Sequence, residues 1–193
     1  GETEARQLAA DLESLTEAPP VLLLAREWKF RPGAVASRDW ERGRLAALYT
    51  LSAYRPKEDH ALTGSGLVVV AAVDALMART MPPELLQSLA VRLETGRQVD
   101  LGALTARLTN GGYVRCEQVE GVGQYALRGG ILDVFSPLME QPVRCEFFDD
   151  EIDSMGTFDP GTQRRTANIN SALLLPAAEV LPHCAEGGLT GLG

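Results

Sequence analysis

Two stretches decide the fold: Gly123-Gln-Tyr-Ala-Leu-Arg-Gly-Gly-Ile-Leu-Asp-Val-Phe135, and shortly after it Pro142-Val-Arg-Cys-Glu-Phe-Phe-Asp-Asp-Glu-Ile-Asp-Ser154. Each alternates apolar with polar residues on both sides of a two-residue turn, Gly129-Gly130 or Asp149-Asp150, which is the spacing of a tight β-hairpin. With Gly129-Gly130 as the turn, Tyr125, Leu127, Leu132 and Val134 share one face, and Ala126, Arg128, Ile131, Asp133 and Phe135 share the other. In the second hairpin Val143, Cys145, Phe147 and Ile152 are set against Arg144, Glu146, Phe148, Glu151 and Asp153. The first set of each hairpin reads as core. The second mixes cations, carboxylates and large apolar groups, which suits the centre of a binding patch as well as it suits the solvated side of a sheet.

The composition narrows what such a patch could bind. The 193 residues, 45% of them hydrophobic, suffice for one large domain or two small ones. A formal charge of −8 opposes tracking of a polyanionic nucleic-acid backbone. Arg115, Arg128, Arg144, Arg164 and Arg165 are interleaved with Glu117, Asp133, Glu146 and Asp150, and mixed charge favours a protein partner over DNA. No run approaches the roughly 18 apolar residues of a membrane span, and Gly1-Glu-Thr-Glu-Ala-Arg6 lacks the features of a signal peptide, so no membrane role and a cytoplasmic location are expected. Cys116, Cys145 and Cys184 have neither the number nor the spacing of a disulfide framework or a zinc site.

Along the chain, Ala5, Leu8, Ala9, Leu12 and Leu15 fall at helical spacing, and Pro19-Pro20 end that helix. Val21-Leu-Leu-Leu-Ala25 and Gly66-Leu-Val-Val-Val-Ala71 read as buried strands, separated by a helix capped at Ser37 and running to Tyr54. Pro82-Pro-Glu84 opens a short helix. Beyond Leu89 come shorter strands and one helix, Leu101 to Asn110, capped by Asp100 and closed by Gly111-Gly112. The expected domains are 1–90, 91–157, and a segment 158–193 in which Leu173-Leu-Leu-Pro176 returns as a strand to the first domain before a frayed Gly-rich tail.

Tyr125 to Phe135, Val143 to Asp153 and Phe158-Asp-Pro-Gly-Thr-Gln-Arg164 together resemble the amino-terminal module of the bacterial transcription-repair coupling factors, itself similar to the excision-repair helicase UvrB. Weaker matches at Arg38-Asp-Trp-Glu41 and Val73-Asp-Ala-Leu76 extend the likeness over most of residues 20 to 182. The resemblance implies an α/β fold: a partial, degenerate RecA-like domain interrupted by a small α+β interaction domain built on antiparallel hairpins. It implies a module that binds UvrA, the damage sensor of nucleotide excision repair, and recruits it to stalled transcription. The residues it assigns are Arg115, Arg128, Arg144 and Glu146, with Ile131 and Phe135 excluding water around the charges. It implies no catalysis and no cofactor in this stretch. ATP and magnesium, RNA polymerase and DNA would engage other domains of the parent. Arg165, outside the inserted domain, should be indifferent to the partner.

The alternative is a fragment of a UvrB-type DNA helicase. Ala126 stands where that family has an arginine, and the aromatic-free stretch from Ala71 to Glu84 leaves no room for its damage-probing hairpin. A third reading is a scaffold whose interaction surface is covered by other parts of the same protein. No Gly-rich loop ends in Lys and Ser or Thr, as phosphate binding requires, and Gly64-Ser-Gly66 and Gly121-Val-Gly123 read as loop punctuation. Glu146-Phe-Phe-Asp-Asp-Glu151 could mimic a magnesium-binding strand end, but its continuation reads as a returning hairpin arm. His60 and His183 have no nucleophile motif beside them, and Trp28 and Trp40 could stack on a base or, more simply for Trp40, fill a core.

Overall fold

The structure, a computed structural model, describes residues 1–16, 18–25, 39–54 and 66–181. Ser37, Trp28, His60, His183, Cys184 and the Gly-rich tail lie outside the described residues, as does the side chain of Trp40. The chain divides into two compact units, Gly1–Glu84 and Leu85–Gly193.

In the first unit, helix α1 (Glu2–Glu13) precedes strand β1 (Val21–Leu23), helix α2 (Asp39–Ala53), strand β2 (Val69–Ala71) and the short helix α3 (Val73–Met77). β1 and β2 pair in parallel, Val21 opposite Val69, which is the α/β rhythm read from the sequence. Ala5 and Ala9 of α1 pack on Val70 and Ala72, small residues that let the helix approach the sheet closely. Buried Arg44 of α2 donates to the carbonyl of Leu24 at 2.6 Å, anchoring that helix at the end of β1.

The second unit holds the hairpins. After α4 (Pro83–Leu89) come β3 (Val91–Glu94) and α5 (Leu101–Asn110). The Asp100 carboxylate caps α5 by accepting from Ala103 N at 2.9 Å, and Gly112, at φ +84°, reverses the chain beyond it. β4 (Val114–Arg115), β5 (Gln124–Arg128), β6 (Ile131–Val134), β7 (Val143–Phe148), β8 (Glu151–Phe158) and β9 (Arg165–Asn168) then form one six-stranded sheet in chain order, antiparallel except for the β4–β5 pair. β10 (Ser171–Leu174) pairs with β3. On the sequence alone, segment 158–193 is expected to return to the first domain through Leu173-Leu-Leu-Pro176, whereas both of its described strands, β9 and β10, are built into the second unit.

Both hairpins have the expected turns. Gly129 takes φ +58°, and Gly130 lies so near β7 that a Cβ there would come within 2.9 Å of the Phe147 carbonyl oxygen. The reading of Glu146 to Glu151 as a hairpin holds, and no group of side chains among the described residues is arranged to hold a metal ion. Nor is any helix there long and apolar enough to cross a membrane.

One face of the sheet carries Tyr125, Leu132, Val134, Val143, Cys145, Ile152 and Met155, all buried against Leu104 and Leu108 of α5 and against β3 and β10. This is the main core. Among the described residues, the other face is covered at one end, where Val119 of the loop before β5 closes over Ala126, Phe135 and Phe158.

Candidate functional site

Strand register builds the uncovered face. β6 pairs with β7 so that Asp133 lies opposite Arg144 and Ile131 opposite Glu146, and β5 with β6 so that Arg128 lies opposite Ile131. The two hairpins therefore adjoin, and their mixed sides form one surface. At its centre Asp133 is fully buried. Arg144 grips it with both arms of its fork, Nε donating to Oδ1 at 2.7 Å and Nη2 to Oδ2 at 2.9 Å, while Arg128 Nη2 donates to Oδ2 at 2.7 Å. One carboxylate holds two guanidiniums, and the geometry is the strong, bidentate kind. The hydrogen bond to Asp133 is the main reason the Arg144 guanidinium is held protonated above its ordinary range, and the charges of Asp133 and Glu146 add to it. Arg144 also lies over the Phe158 ring, 4.5 Å from its centroid.

Each site residue read from the sequence can now be placed. Arg128 is 48% exposed and pre-oriented by Asp133 and the Glu117 carbonyl. Arg144, at 19%, is chiefly an internal brace. Ile131 and Glu146 share the open face, and Ser154 Oγ donates to Glu146 Oε2 at 2.7 Å. Phe135 is on the expected face but buried, in the satellite cluster with Val119, Ala126 and Phe158, so it is not part of the open surface. The exposed aromatic is Phe148, 75% accessible at the hairpin end. Arg115 stands apart: its register partner is Tyr125, which puts it in the core-facing row at the exposed sheet edge, away from Arg128 and Arg144.

Sequence reasoning missed three participants. Asp133 was visible as a carboxylate on the mixed face, but its burial between two arginines depends on the β6–β7 register. Gln163, in the left-handed region at φ +61°, donates through Nε2 to the carbonyls of Val119 and Pro160, tying the covering loop to the turn before β9. Arg165, expected to lie outside the domain, is a residue of β9, and its Nη2 donates to Ser154 Oγ at 3.2 Å. No motif signalled this, because two irregularities of the ladder produce it. One, between Glu146 and Phe147, leaves Asp153 unpaired and sets Ser154 opposite Glu146; the other sets Arg165 opposite Phe158.

The second unit and its sheet have known relatives. Residues 91–180 match the family model described as the UvrB interaction domain. The transcription-repair-coupling factor of Bacillus subtilis is 32% identical over 179 residues, 92% of this chain. Those of Myxococcus xanthus and Escherichia coli are 42% and 39% identical over 113 and 112 residues, 58% of this chain in each case. The matched segments make up 14%, 9% and 10% of these three relatives, so the chain corresponds to a small part of their length. Residues 91–180, which contain the whole six-stranded sheet, belong to the UvrB interaction domain family, in a chain homologous to a segment of the transcription-repair-coupling factors.

Proposed function

We propose that this chain is a protein-interaction module that binds a UvrA-type damage sensor of nucleotide excision repair and recruits it to stalled transcription. The observation that carries the reading is the Arg128–Asp133–Arg144 cluster on an uncovered sheet face of a UvrB interaction domain, flanked by exposed Ile131 and by Glu146. Asp133 takes up much of the hydrogen-bonding capacity of Arg144, which leaves Arg128 as the guanidinium with donors to spare. Arg128 meets partner carboxylates already oriented, so less side-chain freedom is lost on binding. Ile131 and Phe148 supply apolar contact beside it, and Arg115, on the other side of the sheet, takes no part in this patch. On the same reading the first unit is part of a degenerate RecA-like domain without catalysis or cofactor of its own. ATP, magnesium, DNA and RNA polymerase are engaged by other regions of the parent.

Calorimetric titration of the full chain against purified UvrA tests this. Loss of an interface arginine anchor costs about 2 kcal/mol, so Arg128→Ala should bind roughly thirtyfold more weakly. Its melting curve should stay close to that of the parent, because Arg144 still satisfies Asp133. Arg97→Ala, which breaks only an exposed pair with Glu94, is the control. Unaltered affinity of Arg128→Ala would overturn the assignment of the face.

A further inference from the structure

Gly156 sits on β8 opposite Arg144, on the open face of the sheet. A Cβ built there would fall inside the Arg165 side chain, against its Nε, and 2.6 Å from the Ala167 carbonyl oxygen. The Arg165 chain therefore lies flat across β8 in the space that any side chain at 156 would fill. From there it reaches Ser154, whose hydroxyl donates in turn to Glu146. The result is a line of charge across five strands: Arg128, Asp133, Arg144, then Glu146 joined through Ser154 to Arg165. Three guanidiniums stand against two carboxylates, so the strip is locally cationic on a chain whose net charge is −8. Asp133 is buried beneath the two arginines that it holds, whereas Arg165 is exposed.

We infer that Arg165, laid over Gly156 and tethered by Ser154, is a specificity-determining residue that extends the partner-binding strip to β9, where it pairs with a carboxylate on an acidic segment of the partner. This rests on the proposed binding of UvrA at the same face. Gly156 is the positioning element, since its missing side chain keeps the guanidinium on the sheet instead of out in solvent. A tethered arginine spends less side-chain entropy on binding than a free one, and its charge steers an acidic partner towards the strip.

The test is titration of purified UvrA with the full chain and its Arg165→Ala, Arg165→Glu and Gly156→Ala variants at low and high salt, with melting curves alongside. Arg165→Ala should weaken binding roughly fivefold and Arg165→Glu roughly twentyfold, as expected for a charge at the edge of an interface, and both losses should shrink at high salt. Gly156→Ala should match Arg165→Ala. If Gly156→Ala does not fold, the two variants of the exposed Arg165 decide alone, with their melting curves as the check on folding. Parent-like affinity for Arg165→Ala and Arg165→Glu, with Arg128→Ala still weakened, overturns this inference and leaves the binding face standing. Failure of the parent chain to bind UvrA overturns both.

Discussion

The two faces of the six-stranded sheet are made by the same strands and differ by one residue of phase, yet they are held by different forces. On the inner face Leu132, Val134, Val143 and Cys145 are fully buried among apolar neighbours. On the outer face Asp133, between Leu132 and Val134 in sequence, is equally buried, but it is held by two arginines, one of which lies over the ring of Phe158. The inner face is stabilised by area removed from water, a non-directional term. The outer face relies on hydrogen bonds of fixed geometry, which orient side chains more than they add net stability. A sheet can therefore keep its stability on one side and its recognition on the other, so that changing one leaves the other largely intact.

Substitutions can break that separation. Leu132→Ala should have the largest effect on stability, about 3–4 kcal/mol by chemical denaturation, with the affinity of the folded fraction for UvrA unchanged. Asp133→Ala should cost less, about 2–3 kcal/mol, because the two arginines it strands retain some contact with water. Should it cost more than Leu132→Ala, the outer face is a second core and the contrast fails. Arg144→Ala comes next at about 2 kcal/mol, since it removes the bidentate partner and the cover over Phe158, whereas Arg128→Ala, half exposed, should cost under about 1 kcal/mol. That pair sharpens the comparison within the outer face, with Arg144 the greater loss to stability and Arg128 the greater loss to binding.

The smallest expected effect is a pH dependence from the inner face. Burial, reinforced by the charge of Asp133, pushes the Cys145 thiol up from 9.0 to about 12. A folded-state value raised in this way contributes stability that is fully present below pH 9 and is lost as pH climbs towards 12. Compared with the parent, Cys145→Ala should therefore show a shallower fall in stability over that alkaline range and no difference in slope below it. Equal slopes above pH 9 would mean that water reaches the inner face.

Much of this was legible in the chain because it is local. Gly129-Gly130 and Asp149-Asp150 set the hairpins, and strict alternation through β5, β6 and most of β7 assigned Leu132 inward and Arg128, Ile131, Arg144 and Glu146 outward. Asp100 and Gly112 bounded α5 as their cap chemistry requires. The likeness to the coupling factors added the partner class, which alternation alone could not supply. Phe135 shows the limit, since its side of the strand was read correctly, but its burial depends on a loop that begins some twenty residues earlier.

What the sequence by itself determined is therefore the set of turns, the parity of each strand up to its first irregularity, and the acidic balance that favours a protein partner. The tertiary structure alone decided the rest. Pairing of β6 with β7 brought Asp133 between two arginines, and that register is a long-range choice with no mark in either strand. The unpaired residue Asp153 reversed the parity of β8, turning Met155 inward and Gly156 outward, and with it the place of Arg165. A period-two count cannot anticipate such a reversal, because a bulge arises where neighbouring strands must twist to pack and not from the composition of the strand that carries it.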